Sequence, residues 1–502
     1  MAVDYSRFKW RDTGRGTWVR EIDEVEAFYS AIARLWEASG RQFFYMTGHL
    51  SLKVAVPDGQ SKSSVEQKLD AALSKAWLAL RFDHPSIAAQ VKFDLASGKY
   101  LKEYPVDSKG WLDETFVQIS TGQTGLEWAN SDPPAPPIST LNVVSPPSTD
   151  DKVVLRDLVL RSPHDILDGI GTLIIFNNYI RLAATAFDKG DAYEPPSLQD
   201  PSIFERLSPP FRVAAAVPSE LSEKSKERLA SIAESKANPP SNADLVILPY
   251  KKGAMVPGVH KRVEITLSPE ETSKVTAACK SMGVSVTHAF HAGLALALRD
   301  LQAKSENARL VQHVGYLLRN ERACCLPPYN DHRHPTGVYH STSAEKLVVE
   351  MKVPGTNDAS TTGEQKAEFD RIVKQMCGFY TAVRDDKEHY ALVPHLFGQD
   401  SPPLPKNGEK ATTVPPPSDA PSASISSMGR IDNIIAQQHG AIETYHPWVT
   451  GEELRSGLGL FLGSFRGELC LSAAYNDAWH SGDGVMEFLC RCLDIVKAGL
   501  EI

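Results

Sequence analysis

VVLRDLVLRSPHDILDG, residues 153–169, is the stretch from which the rest of the chain is read. Val153 to Leu160 is β-branched and aliphatic and predicts a strand. Arg161-Ser162-Pro163-His164 reads as a tight turn, and from Gly169 to about Phe187 the pattern is helical. His164 therefore closes a strand and Gly169 opens a helix. H-x-x-x-D-G matches by chance in roughly 4% of chains this long at average residue usage, so the context carries the weight. An imidazole at such a boundary reaches into a crevice while the sheet holds its backbone. With an unperturbed pKa near neutrality, His164 is the natural general base for a hydroxyl or amine attacking an activated acyl group. The competing reading is a core histidine satisfied by backbone groups. Asp168 reads as the N-cap of the helix or as the partner of an arginine, ahead of direct proton transfer. Gly169 removes a side chain where another group must pass closely. G-x-S-x-G does not occur, which argues against a serine hydrolase of the α/β type.

Outward from this turn, strands and helices alternate. Glu21 to Gly40 sets Val25, Phe28, Tyr29, Ile32 and Leu35 at helical spacing. Phe43 to Val56 reads as a strand, and Ser64 to Phe82 as a helix that stops before Pro85. Phe116 to Ile119 is strand-like. Ser219 to Ala237 is a charged helix that, with the loop at 238–243, joins two halves. In the second half His260 to Leu267 is a strand, Ser268 to Gly283 a helix opened by Ser-Pro-Glu-Glu, Val286 to Leu301 a buried apolar helix and Leu310 to Leu318 a buried strand. Glu364 to Arg384 is a helix. Ser424 to Met428, Leu458 to Gly463 and Glu468 to Tyr475 are strands, and Val485 to Ala498 closes the chain. The class is mixed α/β in two lobes, 1–237 and 238–502.

The chain has 502 residues and a formal charge of −9, against a surface built to wrap nucleic acid. Its 34 prolines outnumber its 33 glycines and concentrate at 131–150, 191–210 and 401–424. The last segment reads as low-complexity and mobile. The seven cysteines include no C-x-x-C pair and read as buried thiols of a cytoplasmic protein. No secretory h-region and no apolar run of ~18–20 residues stands out, so no membrane is expected. His288 and His291 read as core histidines and His332, His334 and His340 as loop histidines. None has metal-ligand spacing, so no metal is expected.

Five further segments frame the motif. They are WRDTGRGTWVREIDEVEAFY (10–29), LSKAWLALRFDHPSI (73–87), VEITLSPEETSKVTAACKSMGVSVTHAFHAGLALAL (263–298), ISSMGRIDN (425–433) and GELCLSAAYNDAWHSGDGVMEFLCRCLDIV (467–496). With them the chain resembles, over about residues 20–500, the CoA-dependent acyltransferase superfamily. That superfamily includes chloramphenicol acetyltransferase, plant BAHD acyltransferases and condensation domains of peptide synthetases. The 10–29 segment is most similar to fungal secondary-metabolite O-acyltransferases of the trichothecene 15-O-acetyltransferase kind. D-F-G-W-G is absent, unlike the plant enzymes. Pro163 stands where condensation domains carry a second histidine.

The resemblance implies two chloramphenicol-acetyltransferase-like lobes, each a mixed sheet with flanking helices, and an active-site tunnel between them. Acyl-CoA, with acetyl-CoA the expected donor, and an acceptor alcohol would meet at His164 in a ternary complex of a monomeric enzyme. Ser426 and Ser427 would lie near the acceptor channel, where a hydroxyl could donate to an oxyanion, against the reading of strand serines bonded to backbone, and Tyr475 is a substrate-binding candidate that otherwise shapes the turn at its strand end. Lys251 and Lys252, with Lys261 and Arg262, are candidates for the CoA phosphates, and Arg319 for the partner of Asp168. The competing functions are a condensation-like enzyme with a carrier-bound donor, a cyclase or isomerase re-using the fold, and a non-catalytic binding protein.

Overall fold

The computed structural model describes residues 4–107, 109–238, 245–358 and 361–502. Beyond Asn238, the join expected at 238–243 lies outside them. Seven helices are labelled here: α1 (Glu24–Arg34), α2 (Lys62–Asp83), α3 (Gly169–Lys189), α4 (Val286–Asp300), α5 (Thr362–Asp385), α6 (His389–Asp400) and α7 (Gly482–Leu500).

Among the described residues, two mixed sheets dominate. The larger has the order Gln438–His439, Ile442–Gly451, Met46–Ala55, Val153–Ser162, Thr140–Val144, Phe116–Ile119. Met46–Ala55 and Val153–Ser162 pair antiparallel with Met46 opposite Ser162. On its other edge Met46–Ala55 takes Ile442–Gly451, with a register shift between Tyr445 and Trp448. A segment from the second half of the chain thus completes the sheet that carries the motif. The smaller sheet has the order Ala423–Arg430, Leu458–Phe465, Glu468–Asn476, His260–Leu267, its first pair parallel.

Each sheet buries its own core. Leu73, Trp77 and Leu80 of α2 join Phe176, Tyr179 and Ile180 of α3 over Leu158 and Leu160. Each such aliphatic or aromatic side chain is worth roughly 1.5–3 kcal/mol when fully buried. Gly48 is what lets α3 close onto the sheet, because a Cβ there would stand 2.4 Å from Thr172 Cγ2 and 2.8 Å from the Phe176 ring. In the second core α4, α5 and α7 pack Phe290, Phe369, Leu489 and Val496 against Leu460 and Leu471. α3 extends into an apolar stretch, Gly169–Ala192, long enough to cross a membrane by length and composition, which the sequence reading had passed over; 67% of its most apolar window is packed inside the protein.

Other expectations are corrected here. The strand expected at 310–318 ends at Gly315; it pairs with Leu347–Val353 and makes one further parallel bridge, from Gln312 to Leu245. Its Val311 face is buried but its Leu310 face is open, so Leu310 is 67% exposed, and Leu318, in the separate short strand Leu318–Asn320, is 51% exposed. The proline-rich 401–424 stretch is tied down at several points. Pro405 and Pro421 offer carbonyls to Tyr100 Oη (2.9 Å) and Leu248 N (2.8 Å), and Ser418 offers its own to Ser456 Oγ. Of the seven free cysteines only Cys279, Cys325 and Cys492 are buried, and Cys490 is exposed.

Candidate active site

The strand Val153–Ser162 delivers the chain into a turn in which Ile166 N donates to Pro163 O (3.1 Å). Asp168 then N-caps α3 through Oδ1, which accepts from Gly171 N at 2.7 Å. Its Oδ2 accepts from Arg322 Nη1 and from Tyr339 N, both at 2.9 Å. Both structural roles expected of Asp168 therefore hold together. Burial, the largest single influence, would raise its carboxyl, but Arg322, His340 and the Gly171 N–H together hold it below the usual carboxylate range. Arg319 is not the partner. It sits inside the strand Leu318–Asn320 and donates to Glu321 Oε1 (2.7 Å), whereas Arg322 lies in the following 3-10 turn and reaches Asp168.

His164 is half-buried and its Nδ1 is fully covered, with its own backbone and that of Leu167 as the polar groups facing the ring. The ring of Tyr29 stacks on it, centroids 3.8 Å apart at 15°. Phe44 meets it edge-on at 6.5 Å, and the His340 ring lies 5.4 Å away. Phe44 has φ +57° and is pinned by its N–H to Glu452 O (2.9 Å). Burial first, and then His340, pushes the His164 imidazole down to about 3, so it is neutral at pH 7.

A buried ionic network anchors this turn to α1. Glu26 accepts from Arg20 Nη1 and Nη2 at 2.7 Å and from Lys102 Nζ at 2.6 Å, and Lys102 also donates to Asp165 O at 2.6 Å. Ser30 Oγ donates to Asp165 Oδ2 (2.6 Å). Tyr29 and Ser30 are neighbours on α1, so one helix holds both the face of His164 and the residue after it. Although burial opposes it, Arg20 with Lys102 holds the Glu26 carboxyl down at about 2.

The other sequence candidates fall less tightly around His164. A Cβ on Gly169 would meet Met428 and Val449 at 3.5 Å, an ordinary contact, so the close approach expected there lies instead at Gly171. There a Cβ would stand 2.4 Å from Pro335 O and 2.9 Å from Arg322 Nη2. Ser426 is buried, and Ser427 Oγ is hydrogen-bonded to Thr287 Oγ1 at the start of α4 (2.9 Å). Tyr475 belongs to the second core, its hydroxyl against Gly482 where α7 begins, and is not among the rings around His164. Lys251 and Lys252 are exposed, Lys251 N bonded to Trp479 O and Lys252 Nζ over the Tyr250 ring at 3.9 Å. Arg262 is no free cation. It is buried, paired with Glu264 and stacked on Trp448 at 4.3 Å.

Between the two sheets a cavity of about 40 Å³ is lined by Met428, Val449, Trp448, Phe461, Arg262 and Cys470. A larger groove of about 1350 Å³ lies elsewhere, between the ends of α4 and α7 and the start of α5, among charges such as Arg299 and Glu368 that pair with each other. Chemistry, not size, marks the site at His164. Among the described residues no group of three His, Cys, Asp or Glu side chains is placed to hold a metal ion.

Sequence reasoning missed Tyr29, Arg322 and His340 as site residues. Tyr29 showed only as an apolar position of α1. His340 was grouped with loop histidines, but it opens the strand His340–Thr342, opposite Asn320.

No family model matches the chain. It is 24% identical over 487 residues to the acetyltransferase pigO of Monascus ruber, covering 94% of each chain. It is 25% identical over 506 residues to the O-acetyltransferase pigM of the same organism, covering 98% of this chain and 87% of the relative. This chain is an acyltransferase. Among solved structures, trichothecene 15-O-acetyltransferase from Fusarium sporotrichioides superposes on it with a TM-score of 0.76 at 16% identity, covering 99% of both chains. Condensation domains share the fold, with a TM-score of 0.58 for the first condensation domain of the calcium-dependent antibiotic synthetase at 12% identity, covering 94% of this chain and 95% of that one. The resemblance read from the motif and its flanking segments thus holds in both comparisons, and the acyltransferase has the mixed α/β fold it implied.

Proposed function

We propose that this acyltransferase moves an acyl group, acetyl in the first instance, from acyl-CoA to a hydroxyl of a fungal secondary metabolite, with His164 as general base and no acyl-enzyme. The observation that carries this reading is the state of His164: neutral, clamped on one face, covered at Nδ1 and still partly open to solvent. The nitrogen left for chemistry is Nε2. It takes the hydroxyl proton as the acceptor oxygen bonds to the thioester carbonyl carbon. The tetrahedral intermediate then collapses with loss of the C–S bond, and the proton passes to the departing thiolate. Ester and free thiol are the products, and the proton count closes.

An imidazole held at about 3 is a weak base in isolation. It works here because imidazolium and oxyanion form together in one poorly solvated pocket, where opposite charges attract far more strongly than in water. The neighbouring carboxylate of Asp168 acts in the same direction. Lys251 and Lys252 are the exposed cations available to the CoA phosphates, and Ser426 is the candidate hydroxyl left for the oxyanion.

The test is mass spectrometry of the protein with acetyl-CoA and a panel of hydroxylated polyketides and terpenoids. The expected result is one acetyl mass gain with one free thiol per product, lost in His164→Ala. Transfer only from an acyl-carrier protein would replace this reading with a condensation-like one. Turnover with no donor and no mass gain would replace it with an isomerase or cyclase.

A further inference from the structure

The reaction above uses neither Tyr29 nor His340, yet both touch its reacting imidazole. Tyr29 Oη and His340 Nε2 are 2.8 Å apart, 311 residues apart in sequence. Tyr29 comes from α1, and His340 opens a strand in the second half of the chain. Phe397 of α6 meets both rings, at 6.0 Å from Tyr29 and 6.4 Å from His340.

A catalytic histidine is ordinarily held by a hydrogen bond at its second nitrogen, often to a carboxylate. No carboxylate plays that part here, because the Asp168 oxygens are taken by Gly171, Arg322 and Tyr339. The imidazole has its own backbone and that of Leu167 as polar neighbours, and the face of Tyr29 adds the restraint on its plane.

We propose that Tyr29 and His340 form a positioning couple, in which His340 fixes the Tyr29 hydroxyl and the tyrosine ring fixes the plane of His164 so that Nε2 faces the acceptor hydroxyl. The couple rests on the function proposed above. Its protonation is determined by its surroundings. Burial raises the Tyr29 phenol and lowers His340, so both are neutral. The His340 ring also hydrogen-bonds to the backbone at Ser341, which places its proton on Nδ1 and leaves Nε2 to accept from the phenol. The charged groups facing His340 are Asp168 and Arg322, paired with each other, and Glu321, paired with Arg319. Those facing His164 are Asp168 and His340. Because the two partners come from opposite halves of the chain, the orientation of the base depends on how those halves are seated.

Two experiments test the couple, one needing no substrate. In ¹⁵N-histidine NMR spectra, with signals assigned by His164→Ala and His340→Gln, His340 is expected as the Nδ1–H tautomer. Tyr29→Phe, which keeps the ring and removes the hydroxyl, is expected to release that tautomer and broaden the His164 signal. In acetyl transfer from acetyl-CoA to whichever acceptor shows the mass gain, Tyr29→Phe and His340→Leu should each lower kcat about tenfold or more. KM for acetyl-CoA should stay within about twofold, and the double variant should be no worse than the poorer single one. His340→Gln, whose carbonyl still accepts the phenol proton, should recover part of the loss. An unchanged kcat in Tyr29→Phe, fully additive losses, or a loss carried by KM would overturn the couple, as would a His340 tautomer indifferent to Tyr29→Phe. The expected spectra in a protein that transfers no acetyl group would sink the proposed function and leave the couple standing.

Discussion

Two clusters in this protein set a tyrosine against a pair of histidines. Around His164 stand Tyr29 and His340. In the second core His291 of α4 lies 5.6 Å from the His313 ring, and its Nδ1 lies 3.2 Å from Tyr380 Oη of α5. Burial pushes His164 and His291 alike down to about 3. A perturbed pKa therefore does not distinguish the site from the core. The differences are elsewhere. His164 sits on a turn, is only half-buried and has the Asp168–Arg322 pair behind it. His291 sits in mid-helix, 3% exposed, with other histidines but no carboxylate acting on it. In the proposed function, access and backing charge are what suit one imidazole to be the reagent, and their absence leaves the other as packing.

The largest effect that could break this contrast is on turnover. His164→Ala should cost about 10³-fold or more in kcat/KM, within the range for removal of a general base, with little change in Tm. His291→Ala should leave kcat/KM near wild type and lower stability by about 1–3 kcal/mol through a lost core side chain. Comparable losses of turnover in two well-folded variants would erase the distinction.

Next is pH, where the two clusters should act alike. His84, His164, His260 and His291 are held at about 3, and His313, His334 and His389 at about 4, in each case chiefly by burial. The unfolded chain takes up these protons near 6.5 and the folded chain does not. Their stability is thus present above about pH 6.5 and lost as pH falls toward 4, at about 1 kcal/mol per histidine by pH 5.5. Asp23, Asp83, Asp165, Glu452 and Glu453, raised by burial, oppose it as five groups against these seven. Denaturant melts at pH 7.5 and 5.5 should show a clear loss, and equal midpoints would contradict it. Over the same range kcat/KM of still-folded protein should show no acid limb from His164.

The smallest effect sharpens the map of the turn. Gly171→Ala drives a Cβ into the Pro335 carbonyl and should cost about 1–3 kcal/mol, whereas Gly169→Ala makes ordinary contacts and should be close to neutral. Thermal melts that reverse this order would move the close approach back to Gly169.

The turn itself was legible because its parts are local. A β-branched run, a Pro-His corner and an Asp before an apolar helix each carry a short-range signal, and the structure realises all three. The core helix at 286–300 was equally plain, since an apolar run of that length has nowhere else to go. The partners of the turn were not legible. Asp168 could have met Arg319 or Arg322, three residues apart, and only the end of a three-residue strand decides which one reaches it. Arg262 read as a surface cation, but its neighbour in space is Trp448, on a strand of the other sheet.

By itself, then, the sequence determined the strand–turn–helix that carries His164, the alternation that makes a mixed α/β fold, and the composition that places its prolines between elements. Those properties depend on residues a few positions apart, where backbone preference and side-chain periodicity act directly. The tertiary structure alone decided that Tyr29 and His340 meet over the imidazole and that Arg322 backs Asp168. It also decided that a strand from residues 442–451 completes the sheet of the first half. Contacts across 150 to nearly 400 residues follow from how sheets and helices seat against one another, and no local pattern in the chain encodes that seating.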